Sequence, residues 1–578
     1  MRASYLSAAA FLGLSAAAPQ AASTSSSSAS ANASSTSSAA TSTCTGNTAD
    51  DRTVWCDYDI STDYYNDGPD TGVTREYYFV VSDVTVSPDG ISRSAMAVNG
   101  SIPGPTIFAD WGDTVKVTVY NDLTTSGNGS SIHWHGIRQN YTNQNDGVVS
   151  ITQCPIAVGE TYTYEWKATQ YGSSWYHSHI GLQAWEGVFG GIIINGPATA
   201  NYDEDLGIMF LNDWDHSTVD ELYDSAQSSG PPTLDTGLIN GTNIYNDSGT
   251  VTGSRWEASL TEGTSYRLRL VNAAVDSHFK FSIDNHTLQV IAMDLVPIEP
   301  YETTVLDIGM GQRYDVIVTA DQASVASDFW LRAIPQTACS DNDNADDIKG
   351  IIHYGSSTGT PETTAYDYTD ACVDEDSSDL VPYVSKTATS GTSLAEAVSV
   401  GYNSDNLFRW YMNETSMEVE WENPTLLQVY NDNLTFTDTS GVVQLDTADQ
   451  WYFFVIETDN AVPHPIHLHG HDFFVLAAGT GSYSSDVTLT LDNPPRRDTA
   501  MLDSSGYLVL AFETDNPGAW LMHCHIGWHT SEGFALQILE RYTEIQDSLI
   551  DYDVLNDTCS TWSTYSEANS IEEEDSGV

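Results

Sequence analysis

Positive charge is scarce in this 578-residue chain, which holds 19 lysine and arginine residues against 80 aspartate and glutamate residues. The formal net charge of -61 excludes a protein that binds nucleic acid or an anionic membrane through a basic surface. Beyond its N-terminus the sequence also lacks the run of about 20 apolar residues that a membrane-spanning helix needs. Hydrophobic residues nevertheless make up 40% of the chain, enough to fold several domains. An acidic, lysine-poor composition is typical of adaptation to high salt, and an acidic habitat is the alternative explanation.

The N-terminal 43 residues differ from the rest of the chain. Residues 1–22 contain Arg2, an apolar Ala/Leu/Phe stretch and a run of alanines, the pattern of a cleaved secretion signal. Residues 23–43 are almost purely Ser, Thr and Ala, which predicts a low-complexity linker. We therefore expect a secreted, extracellular glycoprotein whose folded part begins near Cys44.

Long segments with a helical period of 3.6 residues are also absent. Short β-branched and aromatic runs alternate instead with Gly, Pro, Asn and Asp clusters, which is typical of an all-β sandwich or barrel. A turn followed by an alternating strand recurs at residues 112–120, 263–271 and 449–456, a spacing that suits one domain each. We predict three domains and a tail, with bounds 44–197, 198–380, 381–545 and 546–578.

Eleven of the fifteen histidines fall in four short segments. In a strand, residues i and i+2 point to the same face, so each His-x-His presents two imidazoles on one side. A structural zinc site closes with four ligands, and these segments supply far more than that. The pattern therefore predicts a site for several metal ions. The eleven are His133, His135, His177, His179, His464, His467, His469, His471, His523, His525 and His529.

The number of cysteines is seven, so one of them has no intramolecular disulfide partner. Cys524 differs from the other six cysteines in its sequence neighbours, because it lies between His523 and His525. The pleat of a strand turns its sulfur away from those two imidazoles, toward a second metal site. We expect His529 and a histidine of segment 464–471 to complete that site, and two His with one Cys is the blue-copper signature. Single electrons would then pass through the backbone of Cys524 to the larger site.

The sequence resembles the multicopper oxidases, most closely the ascomycete-type fungal laccases. The resemblance lies in these motifs, in the segments at residues 99–107, 172–179 and 516–525, and in the terminal Asp-Ser-Gly-Val. The resemblance implies three cupredoxin-like Greek-key domains and four copper ions, one type 1, one type 2 and a type 3 pair. It implies His464, Cys524 and His529 as type 1 ligands. The implied type 2 ligands are His133 and His467, and the type 3 ligands are His135, His177, His179, His469, His523 and His525.

The resemblance also implies roles for single residues. Asp146 matches a family acid that feeds protons to the oxygen-reducing cluster, and Asp235 matches one that accepts the proton of a phenol. Phe534 stands where the weak axial ligand of type 1 copper would lie. Phenylalanine cannot coordinate a metal, so we expect a high redox potential. This position is usually leucine in the ascomycete pattern.

Disulfides and the C-terminus follow from the same resemblance. The implied pairs are Cys44 with Cys56, Cys154 with Cys559, and Cys339 with Cys372. The last four residues, Asp575–Val578, resemble a plug that enters the solvent channel toward the copper cluster, whereas the acidic run before them is typical of a solvated end.

Taken together, the sequence predicts a secreted laccase that oxidises a small aromatic reductant and reduces O2, without nucleic-acid or membrane partners. We expect a monomer, with an oligomer as the alternative. A ferroxidase and an ascorbate oxidase are the alternative enzymes. A copper-binding or storage protein without turnover is the alternative from another class, and the complete ligand set argues against it.

Overall fold

Strands make up most of the regular structure and helices are few. The computed structural model describes residues 44–571 and 575–578; the predicted signal sequence and linker lie outside the described residues. Residues 161–167 show why short alternating runs become strands here, because every second side chain is buried and those between are exposed. The all-β prediction is confirmed.

The first set of strands forms two four-stranded sheets, ordered β4-β3-β6-β8 and β5-β10-β9-β7, and a hairpin β1-β2. Aromatic and aliphatic side chains from both sheets meet in one core, including Phe79, Trp134 and Trp166. The strands are β1 Val54–Trp55, β2 Tyr58–Asp59, β3 Thr74–Val86, β4 Arg93–Val98, β5 Gly104–Asp110, β6 Thr114–Asp122, β7 His133–His135, β8 Thr161–Lys167, β9 Gly172–His177 and β10 Phe189–Asn195.

The second set forms a six-stranded sheet, ordered β12-β11-β16-β21-β18-β19, a five-stranded sheet, β15-β23-β22-β17-β20, and a hairpin β13-β14. Its strands are β11 Glu204–Trp214, β12 Thr236–Ile239, β13 Ile244–Asp247, β14 Thr250–Gly253, β15 Glu257–Leu260, β16 Ser265–Asn272, β17 Phe279–Ile283, β18 Leu288–Met293, β19 Val296–Thr303, β20 Leu306–Ile308, β21 Arg313–Thr319, β22 Asp328–Pro335 and β23 Lys349–Tyr354.

The third set repeats this plan with sheets β25-β24-β27-β32-β29-β30 and β26-β34-β33-β28-β31. One continuous core joins the second and third sets. The strands are β24 Thr392–Tyr402, β25 Phe408–Met412, β26 Val442–Leu445, β27 Trp451–Thr458, β28 His464–Leu468, β29 Phe473–Thr480, β30 Arg496–Arg497, β31 Thr499–Leu502, β32 Gly506–Glu513, β33 Gly518–Cys524 and β34 Ala535–Glu540.

Helices lie between strands and at the C-terminal end. The α-helices are α1 Val219–Ser229, α2 Thr425–Tyr430, α3 Gly527–Ser531, α4 Tyr542–Ser548 and α5 Tyr552–Asn569, and 3-10 turns lie at Asn143–Asn145, Ala345–Asp347 and Asp438–Ser440. Among the described residues, no helix combines the length and apolar character that crossing a bilayer requires.

The three recurring sequence segments occupy equivalent strands. β6, β16 and β27 each pair in parallel with the first long strand of their set and antiparallel with a later one. The strand sets end and begin at Asn195 and Glu204, and at Tyr354 and Thr392. The exact domain limits stay a prediction.

All three implied disulfides are present, joining Cys44 to Cys56, Cys154 to Cys559 and Cys339 to Cys372. The second of them ties α5 to the first strand set across a sequence separation of 405 residues. Among the described residues, Cys524 is the free cysteine, and it is buried.

The few cationic side chains are unusually buried. The chain has 19 lysine and arginine residues, and within the part that the structure describes nine of them lie in the interior. Arg269, Arg313, Arg496 and Arg497 are fully buried. Burial of a charge is tolerated only with partners, and each of Arg269, Arg313 and Arg497 pairs with aspartate.

Candidate metal centre

Two pairs of neighbouring strands carry the histidines. In the first set β7 runs antiparallel to β9, so His133 lies directly opposite His177. In the third set β28 runs antiparallel to β33, so His467 lies opposite His523. Opposed residues of an antiparallel pair point to the same face, which brings each pair of imidazoles together.

Eight histidines of these strands and the loops after them meet between the first and third sets; we call them the eight-histidine cluster. His469 Nε2 lies 3.3 Å from His523 Nε2, and His177 Nε2 lies 3.4 Å from His135 Nδ1. The ring centroids of His135 and His467 are 3.8 Å apart. The members are His133, His135, His177, His179, His467, His469, His523 and His525, and all are buried.

A smaller group, the Cys524 group, consists of Cys524, His464 and His529. The Sγ atom of Cys524 lies 3.8 Å from His464 Nδ1 and 3.5 Å from His529 Nδ1, and the two nitrogens are 3.3 Å apart. The pleat of β33 sends this sulfur to the opposite side from the imidazoles of the eight-histidine cluster. All eleven predicted metal ligands thus fall into two groups that share the segment His523–His525.

The ring nitrogens have the arrangement that a metal requires. The Nδ1–H groups of His133, His177, His467 and His523 donate to backbone oxygens at 2.7–2.9 Å, and that of His469 donates to Asp146 Oδ2 at 2.9 Å. These bonds fix the tautomer with the proton on Nδ1. The Nε2 atom is then unprotonated, and its lone pair is free to bind a metal ion. The buried Nε2 atoms of His133 and His467 have no hydrogen-bond partner, and neither ring nitrogen of His525 has one. The donor set therefore fits metal ions.

Burial favours the neutral, metal-binding form of eight of the ten predicted histidine ligands by lowering their pKa values. It lowers the pKa of His464 to about 3, and it lowers the pKa values of His135, His177, His179, His469, His523, His525 and His529 well below the ordinary value. Burial also raises the pKa of the Cys524 thiol. A bound cation reverses that effect, because a coordinating thiol is deprotonated.

Asp146 is fully buried beside the eight-histidine cluster. Its Oδ2 atom accepts from His469, and its backbone oxygen accepts from His133 at 2.8 Å. One acid thus orients two imidazoles that face each other with centroids 4.0 Å apart.

Sequence reasoning missed a second acid, Asp498. Its Oδ1 atom lies 3.1 Å from His135 Nε2, its backbone oxygen accepts from His467, and both carboxylate oxygens bind Arg313 at 2.6 Å. Burial alone would raise the pKa of Asp498, but the Arg313 guanidinium and the hydrogen bond from His467 hold it below its ordinary value. One sequence signal for Asp498 was available. Two arginines stand directly before it, at Arg496 and Arg497, in a chain that has only 19 lysine and arginine residues.

A glycine makes room for this ion pair. Gly136 has a φ of +76°, and a Cβ atom there would lie 2.3 Å from Arg313 Nη2 and 2.5 Å from Asp498 Oδ2. Only glycine satisfies both the backbone conformation and the close approach.

The remaining predicted residues are not among the eleven: Asp235 has a partner of its own, whereas Phe534 and His471 adjoin the metal groups. Asp235 pairs with His216, its Oδ2 atom being 2.7 Å from His216 Nδ1, and its side chain is 28% exposed. Phe534 is fully buried, with its ring centroid 5.0 Å from that of His464. His471, expected outside the ligand set, bonds to Glu540 Oε2 at 3.1 Å.

The four terminal residues are docked on the protein rather than solvated, and Ser576, Gly577 and Val578 are buried. Ser576 N–H donates to Ser531 O, and Ser150 Oγ donates to Gly577 O at 2.6 Å. Val578 is 1% exposed, in a core shared with the first and third strand sets. Ser531 is two residues beyond His529, so the tail packs against the segment that holds the Cys524 group.

Docking of this tail should depend on pH. Burial raises the pKa of Asp575 to about 6, from an ordinary 3.8. The docked state therefore favours the protonated carboxyl, so docking is strongest below pH ~4 and weakens by roughly 3 kcal/mol at most as the pH rises through 6. Hydrogen exchange of the Ser576 amide, corrected for its intrinsic rate, should show more opening at pH 7 than at pH 4. In Asp575→Asn this difference should vanish; a wild-type amide protected equally at both pH values contradicts the prediction.

Three consecutive segments of the chain, residues 80–199, 205–357 and 410–544, match sequence profiles described as multicopper oxidase. The chain belongs to the multicopper oxidases. Copper is accordingly the metal of this multicopper oxidase, in agreement with the imidazole and thiolate donors.

Among relatives of this multicopper oxidase, "Laccase-2" of Botryotinia fuckeliana is 48% identical over 92% of this chain and 93% of its own length. "Laccase-1" of Melanocarpus albomyces is 40% identical over 92% of this chain and 89% of its own. The crystal structure of the laccase from Botrytis aclada superimposes with a TM-score of 0.89, at 46% identity, over 92% of this chain and all of that one. Fet3p, described as a multicopper oxidase that functions in iron import, gives a TM-score of 0.76 at 25% identity, over 87% and 96%.

Proposed function

We propose that this multicopper oxidase is a secreted laccase, which takes single electrons from diphenols and related aromatics and reduces O2 to water. The names of the relatives support the activity. Bound copper would supply one-electron redox chemistry in the Cys524 group and oxygen reduction in the eight-histidine cluster. Export is supported by the N-terminal sequence pattern and by the disulfides, which are typical of oxidising compartments.

One observation carries this proposal: Cys524 faces the two histidines of its group while its chain neighbours, His523 and His525, belong to the eight-histidine cluster. Two metal sites are thereby joined by a few covalent bonds. A protein that only stored copper would need no such connection between sites.

We assign four copper ions to the two groups. Type 1 copper is held by His464, Cys524 and His529, and type 2 copper by His133 and His467. The type 3 pair is held by His135, His177, His179, His469, His523 and His525. This assignment is supported by the mutual approach of donor atoms within 4.8 Å in His464–Cys524–His529 and in His179–His469–His523.

The chain's own residues would position the reactants and move protons. Asp146 can exchange a proton through its Oδ2 atom, which touches His469. Asp235, with a partly exposed carboxylate, would accept the proton that a phenol loses with its electron. Phe534 offers no donor to type 1 copper, which favours a high potential.

Replacing Asp146 with asparagine should slow oxygen reduction about 10–100-fold, since removal of such partners of metal ligands has effects of that size. The amide keeps the shape but holds no exchangeable carboxyl proton. Stopped-flow reoxidation of the fully reduced protein by O2 measures this step. Asp235→Asn is the matched control, and it should change phenol oxidation but leave reoxidation at the wild-type rate. Equal reoxidation rates in Asp146→Asn and wild type would show that Asp146 has no such role.

Oxygen uptake tests the proposed function. The copper-loaded protein should be intensely blue and should consume O2 with a diphenol. Faster turnover of ferrous iron than of any phenol would indicate a ferroxidase instead, and preference for ascorbate would indicate an ascorbate oxidase. A protein that binds copper but consumes no O2 with any of these reductants would be a storage protein.

A further inference from the structure

A row of aromatic side chains connects the Cys524 group to the protein surface. Building on the laccase proposal, we propose that Tyr402, Phe408 and Trp410 form a second electron entry, which accepts electrons at Tyr402 from phenolic polymers too large to approach the type 1 histidines. The three residues lie on the antiparallel pair β24–β25, where Tyr402 is opposite Phe408.

Each step along the row is a ring contact. The ring centroids of Tyr402 and Phe408 are 5.9 Å apart, and those of Phe408 and Trp410 are 5.7 Å apart. Trp410 then lies 4.3 Å from His529 and 4.7 Å from His464. Such distances are those of aromatic rings in packing contact. Each ring therefore touches the next, from Tyr402 to the two histidines.

Burial changes steadily along the row. The side chain of Tyr402 is 63% exposed, Phe408 is half-buried and Trp410 is 4% exposed. His464 is fully buried and His529 is 6% exposed. A phenol on a polymer chain can therefore touch Tyr402 more easily than either histidine, which leaves small phenols as the natural substrates of the histidine route.

Trp410 is suited to carry a transient positive charge. Its indole N–H donates to Glu532 Oε2 at 3.2 Å, and its backbone N–H donates to Glu532 O at 2.9 Å. The carboxyl group holds the indole in place and its oxygen stabilises positive charge on the ring. Phe408 is not readily oxidised and acts only as packing between the two redox-active rings.

The electrons and protons balance at every step. With copper bound in the Cys524 group, Tyr402 would lose one electron through Trp410 toward that group and its phenolic proton to solvent, which would leave a tyrosyl radical. A phenol of the polymer then gives one electron and one proton to Tyr402, so the O–H bond of Tyr402 forms again and a phenoxyl radical remains on the polymer. The oxidant is the copper site of the proposed function, and O2 is its final acceptor.

Tyr402→Phe tests the relay, because it removes the hydroxyl and keeps the ring. The substrates are free guaiacol and the same guaiacyl group attached to neutral dextran. We expect the ratio of kcat/KM for guaiacyl dextran to that for guaiacol to fall about tenfold in Tyr402→Phe. Tyr78→Phe is the matched control, because Tyr78 is 56% exposed but lies on β3 of the first strand set; its ratio should equal that of the wild type.

A second measurement does not depend on turnover rates. During oxidation of guaiacyl dextran, a nitroso spin trap should leave an adduct on the peptide containing Tyr402, as mapped by mass spectrometry, and none on the peptide containing Tyr78. An unchanged ratio in Tyr402→Phe, or no adduct at Tyr402, overturns the relay while guaiacol oxidation still supports the laccase proposal. A wild-type protein that oxidises neither substrate overturns the laccase proposal and the relay together.

Discussion

Cys524→Ser should be colourless and should lose phenol oxidation to the background rate, although the chain still folds. The serine hydroxyl is not a thiolate, so the intense absorption of a blue-copper site cannot form. The variant should bind one copper ion fewer per chain, because the eight-histidine cluster does not use the sulfur. Visible absorption and copper analysis measure both effects.

His286→Gln serves as the control for this variant. His286 is buried but outside both metal groups, where it bonds to Asp284 O and Tyr354 OH. It should keep the blue colour and the full copper content. A blue Cys524→Ser protein would remove Cys524 from the type 1 site and with it the proposed link between the two sites.

Arg313→Met should destabilise the protein by about 3–5 kcal/mol, the usual effect of breaking a buried ion pair from one side. Arg313 lies on β21 of the second strand set, and its guanidinium neutralises Asp498 of the third set through two bonds of 2.6 Å. The methionine fills similar space but leaves the Asp498 carboxylate charged and buried beside His135 and His467. Urea unfolding followed by tryptophan fluorescence gives the loss.

Lys116→Met provides the comparison with an exposed pair. Lys116 lies 3.4 Å from Glu165, and the two side chains are 41% and 55% exposed. Its removal should change the free energy of unfolding by about 1 kcal/mol at most. If the two variants unfold at the same urea concentration, the buried Arg313–Asp498 pair stabilises the protein no more than the exposed pair does.

The sequence predicts the two groups of candidate metal ligands because their signal is local. In His523–His525, three adjacent residues and the alternation of a strand are enough to separate the sulfur from the imidazoles. The recurring strand start at residues 112, 263 and 449 indicated three similar units for the same reason. The number of histidines and their spacing can be read from the sequence without knowing how distant segments pack.

The pairing of Asp498 with Arg313 could not be found in this way. They are 185 residues apart, and nothing in either segment says that β21 and the β30–β31 connection lie together. The aromatic row from Tyr402 to Trp410 was missed for a related reason, because alternate aromatic residues in a strand are ordinarily core packing. The contact of Trp410 with His464 and His529 arises only when β25 packs against α3 and β34.

Because nearly half of the few cationic side chains are buried, carboxylates far outnumber the cations that remain at the surface, and the exterior carries a negative electrostatic field. Diffusing reductants meet this field before they meet any binding site, so aromatic amines that carry positive charge are drawn in and aromatic sulfonates or carboxylates are turned away. Dissolved salt shortens the reach of the field to about 10 Å at 0.1 M. Ionic strength therefore sets which aromatic molecules arrive fastest, and the oxidase becomes less selective by charge as its medium becomes saltier.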